Sequence, residues 1–103
     1  MVPATISDDD AQIEEKARRE WCQLTAFRRD ILTAIAAFEG DEPPKGLAIK
    51  DIIGSERGEQ INHGRLYPNL DTLVNAGLID KGSIDDRTNA YALTDWGERV
   101  LNA

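Results

Sequence analysis

The sequence predicts a mainly α domain carrying one small β-hairpin, an α+β arrangement. Three observations predict it. Apolar residues recur at three- and four-residue spacing through several separate stretches. Two short runs, 78–84 and 90–93, flank the turn-forming Asp85-Asp-Arg-Thr-Asn89. Glycines, prolines and capping side chains punctuate the chain between the periodic stretches. The chain has 103 residues, enough for one modest core. It divides into a disordered N-terminus, 1–8, and a single domain, 9–103.

The first helix is expected over 9–23. Ser7 or a following aspartate can cap it, and negative charge suits that end of the dipole. Ile13, Ala17, Trp21 and Leu24 form its apolar stripe. Thr25 is the expected N-cap of a second helix, 26–39, lined inside by Phe27, Ile31, Ala34, Ile35 and Phe38. Breakers make 40–46 a loop. A short third helix, 46–54, should bury Leu47, Ile49, Ile52 and Ile53, with Gly54–Gly58 as the turn after it and Ile61 as an anchor.

Asn62 is the expected cap of a fourth helix, 62–76. Leu66, Leu70, Leu73 and Val74 share its inner face. Pro68 lacks an amide donor, which predicts a local kink or a start nearer Gly64. Gly77 ends the helix, because it takes the left-handed conformation without a Cβ penalty. Strands 78–84 and 90–93 form the hairpin. Thr94 caps a last helix, 95–102, with Trp96 and Val100 facing in. Two helices joined by a turn, with a hairpin directly after the second, predict a winged helix-turn-helix with an extra N-terminal helix and a short C-terminal helix.

That arrangement points to duplex DNA as the partner. The fourth helix would enter the major groove with its N-terminal residues at the base edges. Arg65 can bond two guanine acceptors and Asn69 can bond adenine on two atoms. Asn62, His63, Tyr67 and Thr72 would support them or touch phosphate. Arg28 and Arg29, near a helix N-terminus, would hold the backbone. Arg87, Thr88 and Asn89 at the hairpin tip suit phosphate or the minor groove, although Asp85 and Asp86 stand beside them. Ile13, Ala17, Trp21 and Leu24, with Trp96 and Val100, offer apolar surface for a homodimer.

The net charge is −7, and duplex DNA repels an acidic body. Its distribution is uneven. Residues 1–15 carry five acids and no base, whereas 16–29 carry five bases against Glu20 alone. Arginine outnumbers lysine eight to four. Such a surface fits a protein working in concentrated salt, where the Debye length falls to about 3 Å at 1 M and short-range bonds decide binding. It fits a moderately acidic mesophilic protein equally well.

No apolar run is long enough to cross a bilayer, and the N-terminus has no secretory pattern. Cys22 is the only cysteine. A cytoplasmic location is expected. His63 is the only histidine, and no metal-ligand spacing accompanies it. No cofactor or small-molecule ligand is implied. No phosphate loop, nucleophile elbow or paired-carboxylate motif points to an enzyme.

The run His63-Gly-Arg-Leu-Tyr-Pro-Asn-Leu-Asp-Thr-Leu-Val-Asn-Ala-Gly-Leu-Ile79 resembles the recognition helix of PadR-like transcriptional regulators. Asp86-Arg-Thr-Asn-Ala-Tyr-Ala-Leu-Thr-Asp-Trp-Gly97 resembles the wing and the following helix start of that family. Leu24-Thr-Ala-Phe-Arg-Arg-Asp-Ile-Leu32 resembles the opening helix of a haloarchaeal branch that includes halovirus repressors. The resemblance spans about 24–99 and implies a dimeric DNA-binding regulator, with repression the expected mode. Many family members carry a long C-terminal dimerisation helix; here helix 9–23 is expected to share or replace that role. Two rival readings are a winged helix used only for protein contacts and a DNA-binding redox sensor acting through Cys22.

Overall fold

Five helices and one antiparallel hairpin follow one another in a computed structural model that describes residues 8–85 and 87–103. The elements are α1 (Asp8–Gln23), α2 (Ala26–Ala37), α3 (Gly46–Arg57), α4 (His63–Asn75), β1 (Ile79–Ser83), β2 (Asn89–Leu93) and α5 (Asp95–Leu101). The expectations for residues 1–7, Ser7 included, and for Asp86 lie outside the described residues. Asp8 already belongs to α1.

Caps set the helix starts. Thr25 Oγ1 accepts from the Arg28 amide at 3.2 Å, and Asn62 Oδ1 accepts from the Arg65 amide at 2.9 Å. Each satisfies one amide that the first turn leaves without a partner. Helix α4 runs unbroken from His63 through Pro68, so the later start near Gly64 does not occur. The missing Pro68 donor costs one bond on an exposed face. The Pro68 carbonyl accepts from the Thr72 hydroxyl at 3.0 Å.

Helix α3 corrects two expectations. It continues through Gly54 to Arg57 and ends at Gly58, whose φ is 67°. Gly54 serves close packing instead of a turn: a Cβ there would stand 2.7 Å from the Glu59 carbonyl oxygen. Leu47, expected inside, is 54% exposed, because it lies in the first turn on the side away from the core. Ile52 is half-buried.

The α4 end is closed by Gly77 at φ 76°, with the Leu78 amide donating to the Leu73 carbonyl at 3.0 Å. This is the six-to-one bond of a Schellman cap. The hairpin pairs Ile79 with Leu93 through Ser83 with Asn89. Lys45 bridges Ala90, and the Tyr91 amide donates to the Pro44 carbonyl at 2.9 Å, so the loop before α3 lies along the free edge of β2. Ile31, Leu32, Ile49, Leu66, Leu70 and Leu73 form the centre of the core, each fully buried. Strand β1 contributes only Ile79 to it, while Ala90 and Tyr91 anchor β2.

The chain's terminal helices meet each other. Ala17 and Val100 are fully buried within the single chain. They have no surface left for a partner, which corrects their assignment to a dimer contact. Trp96 is half-buried and donates its indole N–H to Glu20 Oε2 at 2.6 Å. Ile13 is 39% exposed. Thr94 caps α5 through the Gly97 amide at 2.9 Å and donates its hydroxyl to the Gly77 carbonyl at 2.6 Å. Gly97 presses on the residue just before β1: a Cβ there would stand 1.9 Å from the Leu78 carbonyl oxygen.

Candidate nucleic-acid interface

Helix α4 shows three faces. Leu66, Leu70 and Leu73 point inward, fully buried. Gly64, Pro68, Asp71 and Asn75 form the outermost arc at successive helical spacings, all exposed. Arg65, Asn69 and Thr72 lie on the flank toward α2, and His63 and Tyr67 on the opposite flank.

Arg65 keeps its side-chain donors free of hydrogen bonds among the described residues. It is half-exposed, its Cζ lies 4.1 Å from the centre of the Phe27 ring, and one nitrogen is 3.6 Å from Glu59. Asn69 does not. Its Oδ1 accepts from Arg28 Nε at 2.9 Å and its Nδ2 donates to the Arg65 carbonyl at 2.7 Å. Each end of the amide makes one bond within the chain and keeps one further acceptor site and one further N–H. Arg28 spends its Nε on the same contact. The Thr72 hydroxyl is spent on the Pro68 carbonyl.

Arg29 is held within the chain as well. Its guanidinium donates to the Trp21 carbonyl and to the Cys22 carbonyl, both at 3.0 Å, and stacks 5.2 Å from the Trp21 ring. A cation on the last carbonyls of α1 offsets the negative end of that helix. Arg29 caps α1. Asn62 likewise uses its side-chain oxygen as the α4 cap.

His63 stacks on Tyr67, ring centres 5.5 Å apart. The Tyr67 hydroxyl lies over Gly46, where a Cβ would stand 2.7 Å from it. Tyr67, Leu47, Lys45, Arg87 and Asn89 line a cleft of about 280 Å³ between the hairpin and α3–α4. At the hairpin tip Asp85 Oδ1 accepts from the Arg87 and Thr88 amides, each at 2.8 Å. The Arg87 amide bond is the main cause that holds the Asp85 carboxyl below its ordinary value. Asp85 thus builds the turn that presents Arg87, which is exposed. Thr88 and Asn89 are half-buried. Burial pushes the Tyr91 phenol up.

Sequence reasoning missed Phe27 and Glu59 around Arg65, Asp71 on the outer arc with Lys81 4.0 Å away, and Lys45 in the cleft. Asp71 had a signal, since it lies three residues after Pro68 on the outer face. The others are brought in by tertiary packing. Cys22 is exposed and free. Among the described residues no cluster of His, Cys, Asp or Glu is arranged to hold a metal, and no helix is long and apolar enough to cross a membrane.

A polar helix face beside a hairpin, both carried on a three-helix core, defines a winged helix domain. Residues 35–103 match the profile of the transcriptional regulator PadR-like family, and the chain belongs to that family. It is similar to H. salinarum RosR in the RosR-S4 complex, at 49% identity over 84% of this chain and 71% of that one, with a TM-score of 0.76. RosR crystals grown from NaBr give 50% identity over 78% and 69%, with a TM-score of 0.70. The S. aureus MepR–DNA complex shares the fold at 18% identity, over 92% of this chain and 66% of that one, with a TM-score of 0.63. No curated protein sequence matches the chain.

Proposed function

We propose that this regulator binds duplex DNA sequence-specifically as a homodimer and represses transcription. Helix α4 enters the major groove, and the hairpin lies on the backbone or minor groove. The observation that carries the reading is Arg65, half-exposed near the α4 N-terminus beside a capped and open helix start. The MepR structure with the same fold is a DNA complex, which supports DNA as the partner. Arg87 acts from the wing, and His63 and Tyr67 contact phosphate. Ile13, Trp21, Leu24 and Trp96 keep apolar surface for the second protomer, since each is exposed or half-buried.

The acidic net charge shapes the test. Counterion release weakens DNA binding as salt rises, but screening also removes repulsion between the acidic body and the duplex. The experiment is a fluorescence-anisotropy titration with fragments of the DNA upstream of the protein's own coding sequence, from low to multi-molar KCl. Saturable, sequence-selective binding that persists in concentrated salt is expected. Absence of binding at every salt by folded protein refutes the reading and favours a protein-contact module. Sedimentation equilibrium of wild type and Ile13→Asp tests the dimer: a dimer that Ile13→Asp weakens supports the α1 interface, and a monomeric wild type rejects it.

A further inference from the structure

We infer that Phe27 is a positioning residue for DNA reading: its ring holds the Arg65 guanidinium in the orientation that sets base preference. The inference rests on the DNA-binding reading above. Phe27 sits in the first turn of α2 and is 5% exposed, so the ring is a fixed platform. The Arg65 Cζ lies 4.1 Å from its centre, while the Arg65 side chain stays 47% exposed. Stacking uses one face of a guanidinium and leaves its N–H groups free in the plane. Those in-plane donors are the ones that bond guanine on two atoms.

The neighbours sharpen the assignment. Arg57 also lies near the Phe27 ring, at 5.4 Å, but it donates to Asp30 at 2.8 Å. Arg65 has only Glu59 at 3.6 Å, beyond a good hydrogen bond. Among the described residues the Arg65 side chain donates no hydrogen bond, so its donors remain for a ligand. The adjacent Arg28 grips Asn69, whose amide in turn bonds the Arg65 carbonyl. Residues 27 and 28 therefore fix both the backbone and the side chain of the reading position. A side chain ordered before binding loses less freedom on binding.

The test is a double-mutant cycle on DNA discrimination, using Phe27→Leu, Arg65→Ala and the double variant. Each is titrated with the preferred duplex and single-base-changed duplexes. Phe27→Leu is expected to cut discrimination on the order of threefold and to change nothing further in the Arg65→Ala background. Equal losses in both backgrounds, or unchanged discrimination by Phe27→Leu, overturns the inference. Wild type that fails to discriminate defeats the DNA reading itself, a distinct outcome. A second measurement needs no variant: NMR of the Arg65 side-chain δ protons in wild type, free and with the duplex. A ring-current shift retained on binding supports the platform, and its loss on binding refutes it even if Phe27→Leu does not fold.

Discussion

Arg28 and Arg29 are neighbours in sequence and serve different parts of the molecule. Where α1 meets α5, polar groups are tied across the joint by the chain itself. Arg29 takes the last carbonyls of α1, and the Trp96 indole takes Glu20. Where α2 meets α4, the polar groups are only half used. Arg28 holds Asn69, yet Arg65 keeps its donors open above Phe27. The rotation of 100° per residue sends adjacent arginines to different sides of α2. Identical side chains become a joint in one place and a surface in the other.

The comparison breaks most visibly at the joint. Gly97→Ala forces a Cβ onto the Leu78 carbonyl, a backbone atom that cannot swing aside. A loss of about 3 kcal/mol of stability is expected from such overpacking, read from urea midpoints. An unchanged midpoint means that α5 does not sit tightly on Leu78. On the open side, Arg65→Ala should leave stability unchanged and lower base discrimination by about 1–3 kcal/mol. Retained discrimination removes Arg65 from the reading role. Arg29→Ala should do the reverse, costing about 1 kcal/mol of stability without changing base preference. Altered preference with intact stability would return Arg29 to the DNA contacts. The smallest effect is at the wing tip. The folded Asp85 pKa is lowered below 3.8, chiefly by the Arg87 amide. Its contribution to the turn is therefore complete above 3.8 and disappears as pH falls through the lowered value. Arg87 and Thr88 amide resonances in an acid titration should move together, and Asp85→Asn should remove that step.

Helix phases and caps were legible in the sequence because they are local. Thr25, Asn62 and Thr94 each cap as their position implies, and the Leu66, Leu70, Leu73 spacing marks the inner face of α4. Gly54 misled because a glycine can mark either a left-handed residue or a close contact. Only the approach of the Glu59 carbonyl distinguishes the two. Asn69 was only partly legible. Its place on a polar flank is readable, but Arg28, forty-one positions away, is brought to it by folding. Glu59 and Phe27 around Arg65 were hidden for the same reason, while Leu47 kept an apolar identity at a site that faces solvent.

Thr94 bonds Gly77 and caps α5, while Gly97 lies against Leu78, so the far end of α4 and the beginning of α5 form one bonded block. Helix α4 has 13 residues and spans about 20 Å at 1.5 Å per residue. A small tilt at that block would be magnified along that length. A tilt of about 5° at the block swings the opposite end, where His63 and Arg65 stand, by about 1.7 Å. Leverage of that size separates a made base contact from a missed one.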